Sequence, residues 1–77
     1  MITPAQCLEA RTLLNWSRAR LAPRCGVSAD TLRGFELGRL VPRRPKLEAI
    51  QHGLEEAGVE FTNGSEPGVK LTRLESG

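Results

Sequence analysis

No stretch of the chain approaches the ~18 consecutive apolar residues of a membrane span. The first residues, MITPAQCLEARTLLNW, also lack a basic segment running into an apolar block. The expectation is a cytoplasmic, reducing location with no membrane contact. Cysteine is scarce, two in 77 residues, and neither Cys7 nor Cys25 belongs to a CxxC or a Cys/His ligand set. Histidine occurs once, as His52, with no partner that spacing would bring to it. These absences argue against a metal site, a disulfide framework or a cofactor, and leave the cysteines as small core residues and His52 as a solvated helix residue. Nucleophile, base and orienting group cannot be assembled: Glu55 and Glu56 fall on the solvent side of a helix end. No enzymatic activity is expected.

Apolar bulk is also limited. A fold of this length hides only about 60% of the surface its unfolded chain exposes, so the core is thin and one domain is the most the chain can build. With metals and disulfides set aside, a partner subunit is the remaining common source of reinforcement.

Net charge is low at +2, but it is unevenly spread. Between Arg18 and Lys46 lie eight bases (Arg18, Arg20, Arg24, Arg33, Arg39, Arg43, Arg44, Lys46) against two acids, Asp30 and Glu36; elsewhere three bases face seven acids. This polarity suits one face meeting an anionic polymer while the other meets water or protein.

Local signals divide the chain into helices. Thr3 fits an N-cap, Pro4 a first helical position and Gln6 the third residue of a T-x-x-Q capping box, with Ile2 able to staple onto Cys7. Helix one therefore begins at Pro4, buries Cys7, Ala10, Leu13 and Leu14, and fades near Asn15. Trp16 follows as a core anchor. Ser17 caps a second helix from Arg18 to about Cys25, ended by Gly26. Ser28 caps a third from Ala29 to about Leu37, with Asp30 placed against its positive end and Gly38 as its left-handed terminator. A fourth starts near Pro45 and runs to Ala57, with Leu47, Ile50, Leu54 and Ala57 on its inner face, and Gly58 closes it. Beyond it, VEFT and GVKLTRL alternate apolar with polar around the turn-rich NGSEPG, which reads as a two-stranded ribbon. Such a ribbon is marginal alone and must pack on the helices or pair with another chain.

Within a twenty-residue window opening at Arg18, Leu21 and Cys25 bury one face of the first helix and Leu32 and Phe35 one face of the second. Val27 plugs the turn, Ala22 is small where the helices cross, and Gly26 supplies positive φ. All seven positions suit a helix-turn-helix. Residues 2 to about 58, and ARTLLNWSRARLAPRCGVSADTLRGFELGRLVP in particular, resemble the XRE-type, lambda-repressor-like family of DNA-binding domains. The C-terminal AGVEF…GVKL is similar to short members that replace the last helix with strands. The resemblance implies a mostly α, compact four-helix bundle with a short C-terminal β-ribbon. It divides the chain into a DNA-binding domain at 1–58 (helix-turn-helix 18–37), a ribbon at 59–74 as a possible dimerisation element, and a frayed tail at 75–77. It also implies homodimeric binding to a palindromic operator in double-stranded DNA, transcriptional control, usually repression, and a structural ion pair between Arg11 and Glu36.

With Leu32 and Phe35 inward, Ala29, Asp30, Arg33 and Gly34 turn outward, with Ser28 at the tip. These five are the candidate base-reading residues. Arg33 either grips guanine O6 and N7 or contacts phosphate; Asp30 either accepts from cytosine N4 or complements the helix dipole; Ala29 suits a thymine methyl; Ser28 is either a contact or only a cap. Arg18, Arg39, Arg43 and Arg44 are the candidate phosphate contacts. Family members usually carry glutamine at the position of Arg18, so some bridging to the recognition helix should be lost there. Pro23 is expected to delay, kink or tighten the second helix, at up to about 3 kcal/mol. Gly34 costs roughly 1 kcal/mol relative to alanine and permits close approach to a backbone. These departures keep a second expectation open, a protein-interaction module or antitoxin-like partner on the same scaffold.

Overall fold

The computed structural model describes residues 2–62 and 67–72. Four helices, α1 (Pro4–Leu14), α2 (Arg18–Cys25), α3 (Ala29–Glu36) and α4 (Arg44–Glu56), precede two strands, β1 (Val59–Thr62) and β2 (Gly68–Leu71). The expected ends of the ribbon at 73–74, the middle of its loop and the expected tail at 75–77 lie outside the described residues. None of the described helices is long and apolar enough to cross a membrane.

The helix starts follow their local chemistry. Thr3 Oγ1 accepts from the Gln6 amide at 3.1 Å while Gln6 Oε1 accepts from the Thr3 amide at 3.0 Å, completing the capping box. Ser17 and Ser28 cap α2 and α3 by accepting from the amides of Arg20 and Thr31. Gly26 and Gly38 are left-handed as expected, and Asn15 joins them at φ 58°. Helix α4 starts one residue before Pro45, behind an Arg43 N-cap that makes no side-chain cap bond.

Two expectations need correcting. Pro23 neither delays α2 nor tightens it, since the α-helix runs unbroken from Arg18 to Cys25. The amide that Pro23 lacks would have served the carbonyl of Ala19, and both residues are exposed, so the orphaned carbonyl sits on the wet side of a helix only two turns long. Leu13 is not part of the buried stripe: it is 40% exposed, while Cys7 and Ala10 are fully buried and Leu14 packs at the margin. At ~100° per residue, Leu13 falls about a quarter turn from that stripe.

The core runs through all four helices and into the ribbon, with Leu21, Leu32, Ile50 and Leu54 wholly enclosed. Helices α2 and α4 meet where α4 has no side chain. A Cβ on Gly53 would lie 2.9 Å from Cys25 Sγ and 3.2 Å from the Arg24 carbonyl oxygen. The Cys25 thiol also donates to the Ile50 carbonyl at 3.7 Å. The glycine thus sets the approach of the two helices.

The strands pair antiparallel, with Val59 opposite Leu71 and Phe61 opposite Val69 on the inner face and Glu60 opposite Lys70 outside. Strand β2 lies against α1 and β1 against α4. Two anchors hold the ribbon there. At one end the Thr72 amide and hydroxyl both donate to the Gly58 carbonyl, at 2.7 and 2.8 Å. At the other, the buried Gln6 amide nitrogen donates to the carbonyls of Thr62 and Gly68 at 3.3 and 3.1 Å. One side chain therefore caps α1 and fastens the mouth of the ribbon, which supplies the packing that an isolated ribbon lacks.

Candidate nucleic-acid interface

Helix α3 is eight residues long and two-sided. Leu32 and Phe35 face the core, while Ala29, Asp30 and Arg33 are exposed and Gly34 is half-covered. The structure thus puts Ala29, Asp30 and Arg33 together on one open face. Ser28 is different: its Oγ accepts from the Thr31 amide at 3.0 Å and lies 2.9 Å from Thr31 Oγ1, so the hydroxyl is engaged in the cap.

Arg39 and Arg43 are exposed in the segment joining α3 to α4. Arg44, at the start of α4, lies 3.5 Å from Glu48 one turn on, an exposed pair that salt screens readily. The expectation that spacing brings His52 no partner is corrected: Glu56 lies four residues on, one helical turn away in α4, and its Oε1 is 3.0 Å from His52 Nε2. Both side chains are exposed, as expected for a solvated helix residue. No cluster of three or more His, Cys, Asp or Glu able to hold a metal occurs among the described residues.

The last residue of α3, Glu36, turns inward, and its side chain is 1% exposed. Arg11 grips it with two parallel bonds, Nε to Oε2 and Nη2 to Oε1, each 2.7 Å. The same guanidinium donates from Nη1 to the Trp16 carbonyl at 2.9 Å, tying the end of α1 to the knot. Arg18 adds a bond from Nε to Oε1 at 2.8 Å, and the Cys7 thiol donates to Oε2 at 3.2 Å. The expected Arg11–Glu36 pair is therefore present within a larger network. Arg18 bridges α2 to the end of α3 through Glu36 and keeps a third of its side chain exposed. Arg18 thus reaches the last residue of α3 through its Nε.

The knot's ionisation follows from these contacts. Burial alone would raise the Glu36 carboxyl, but the hydrogen bonds from Arg11, Cys7 and Arg18 outweigh it and hold the group below the usual carboxylate range. Burial, reinforced by the bond to Glu36, pushes the Cys7 thiol far upward, so it remains a protonated donor. Burial also lifts Cys25 to about 11. Both cysteines are free and buried, and Cys7 is a polar partner as well as a core residue.

Sequence reasoning missed two further features. The guanidinium carbons of Arg20 and Arg24 lie 5.1 and 4.6 Å from the Trp16 ring centroid. The four-residue spacing of Trp16, Arg20 and Arg24 was the available signal. The second concerns Leu37, Leu40 and Val41, which are exposed apolar residues directly after α3. A scan of the chain against models of known families finds no match, and neither does a comparison with curated proteins.

Proposed function

We propose that the chain is a sequence-specific DNA-binding transcriptional regulator, most simply a repressor, with a lambda-repressor-like helix-turn-helix fold and no catalytic step. The observation that carries this reading is the α2–turn–α3 unit. Two eight-residue capped helices are joined through the left-handed Gly26, with Ala29, Asp30 and Arg33 on the open side of the second. Arg18, Arg39 and Arg43 stand at the margins of that face in sequence, where phosphate contacts set register and affinity. In this reading α3 enters the major groove of double-stranded DNA, and two copies occupy half-sites about 34 Å apart, giving a roughly palindromic operator. Residues 59–74 are a candidate contact between the copies, and the cytoplasm is where the chain would act.

Selection of bound duplexes from a random library, followed by a salt titration, tests the proposal. An enriched palindrome whose binding falls steeply with salt supports it; no retention of any duplex at low salt overturns it. The exposed Leu37, Leu40 and Val41 favour a second reading, a protein-interaction module or antitoxin-like partner. Arg33→Ala separates the two. On the DNA reading, affinity for the selected site drops roughly five- to 150-fold with the melting temperature unchanged. On the second reading, complex formation with the protein partner is untouched.

A further inference from the structure

Gly34 leaves a gap on the outer face of α3, and the segment after the helix fills it. A Cβ built on Gly34 would lie 2.6 Å from Leu40 Cδ2 and 3.0 Å from Leu40 Cγ, so the leucine side chain stands where residue 34 has none. Leu40 is held in this position by its backbone: the Gly34 carbonyl accepts from the amides of Arg39 and Leu40 at 2.8 and 3.3 Å. Yet Leu40 remains 41% exposed, and Leu37, on the same side of α3 one turn beyond Arg33 and Gly34, is 49% exposed. A side chain that served only to cover the helix would bring its own apolar surface out of water. Leu40 instead presents part of that surface over Gly34, which follows Arg33 directly and Asp30 by one helical turn in α3.

We infer that Leu40 is a specificity-determining residue of the reading face, supplied by the α3–α4 segment to replace the side chain missing at Gly34, and that it contacts a thymine 5-methyl group. The inference rests on the reading of α3 as a major-groove helix. Within that groove the thymine methyl is the apolar group that a base pair presents, while every other distinguishing feature is a donor or an acceptor. An apolar side chain held over Gly34 therefore has one partner there. A larger residue at position 34 displaces the end of the Leu40 side chain.

The test uses the full chain and duplexes carrying its selected site, with each thymine replaced in turn by deoxyuridine, which removes only the methyl. At one thymine per half-site the wild-type chain should bind the uracil duplex about fourfold more weakly, the worth of one methyl in an apolar contact. Leu40→Ala should bind thymine and uracil duplexes equally at that position, and Leu40→Met should keep the preference. Gly34→Ala, which pushes Leu40 aside, should also lose it. A wild-type chain with no methyl preference overturns the inference, as does a preference that survives Leu40→Ala. Failure of the DNA-binding reading looks different, because no duplex is retained by any of these chains.

Discussion

The two sides of α3 follow opposite rules. On the inner side Leu32 and Phe35 are enclosed and every oxygen of Glu36 is engaged by Arg11, Arg18 or Cys7. On the outer side Ala29, Asp30 and Arg33 stand in solvent and Leu40 covers a bare backbone. An eight-residue helix is too short to be stable by itself in water, so its inner side must supply the attachment. The outer side is then free of structural duty, which is the condition for a surface whose side chains answer to a ligand.

Breaking the inner side should have the largest effect. Glu36→Ala leaves two arginines and a thiol around an empty site, with Arg11 still deeply placed, and removing one partner of a buried pair typically costs about 3–5 kcal/mol. Against a total stability of about 5–15 kcal/mol for domains generally, the variant should be largely unfolded on warming. Circular dichroism melts check this; a melting temperature within a few degrees of wild type would show that the knot is ornamental to stability.

The contact between α2 and α4 should come next. Gly53→Ala inserts a methyl 2.9 Å from Cys25 Sγ and 3.2 Å from a backbone oxygen. Overpacking of this kind costs about 1–3 kcal/mol, less the gain in helix propensity from alanine. Pairing Gly53→Ala with Cys25→Ala should return part of the loss, because the sulfur is the nearer obstacle. A single variant more stable than wild type would mean that the helices separate freely.

The same division between sides explains what could be read from the sequence. Helix starts were legible because caps are local: Thr3 and Gln6, Ser17 and Ser28 act within one turn of themselves. The buried set of α2, α3 and the turn between them was legible because periodicity and small-residue positions encode it. The path of Leu40 onto Gly34 was not, since it depends on how a non-helical segment leaves α3. Nor was the choice of Arg18 for Glu36, because several arginines of similar reach compete and tertiary placement decides between them. Leu13 shows the limit of a stripe read without its neighbours: an apolar residue at the edge of the pattern is not drawn inward unless an element waits there.

The smallest effect is a pH dependence that only the inner side should show. In the folded chain the Glu36 carboxyl is held below its ordinary value, burial being outweighed by the bonds from Arg11, Cys7 and Arg18. A depressed carboxyl contributes stability that is complete above the unfolded value of about 4.3 and is lost as pH falls toward the folded value. Melting temperature should therefore be flat with respect to this group from neutral pH down to about pH 5 and decline below it. Following the Glu36 side-chain carbon by NMR isolates the group from the exposed carboxylates, and its midpoint should lie below the ordinary glutamate value of about 4.3. A Glu36 midpoint above about 4.3 would mean that desolvation wins over three donors, and that the knot is held by shape and not by charge.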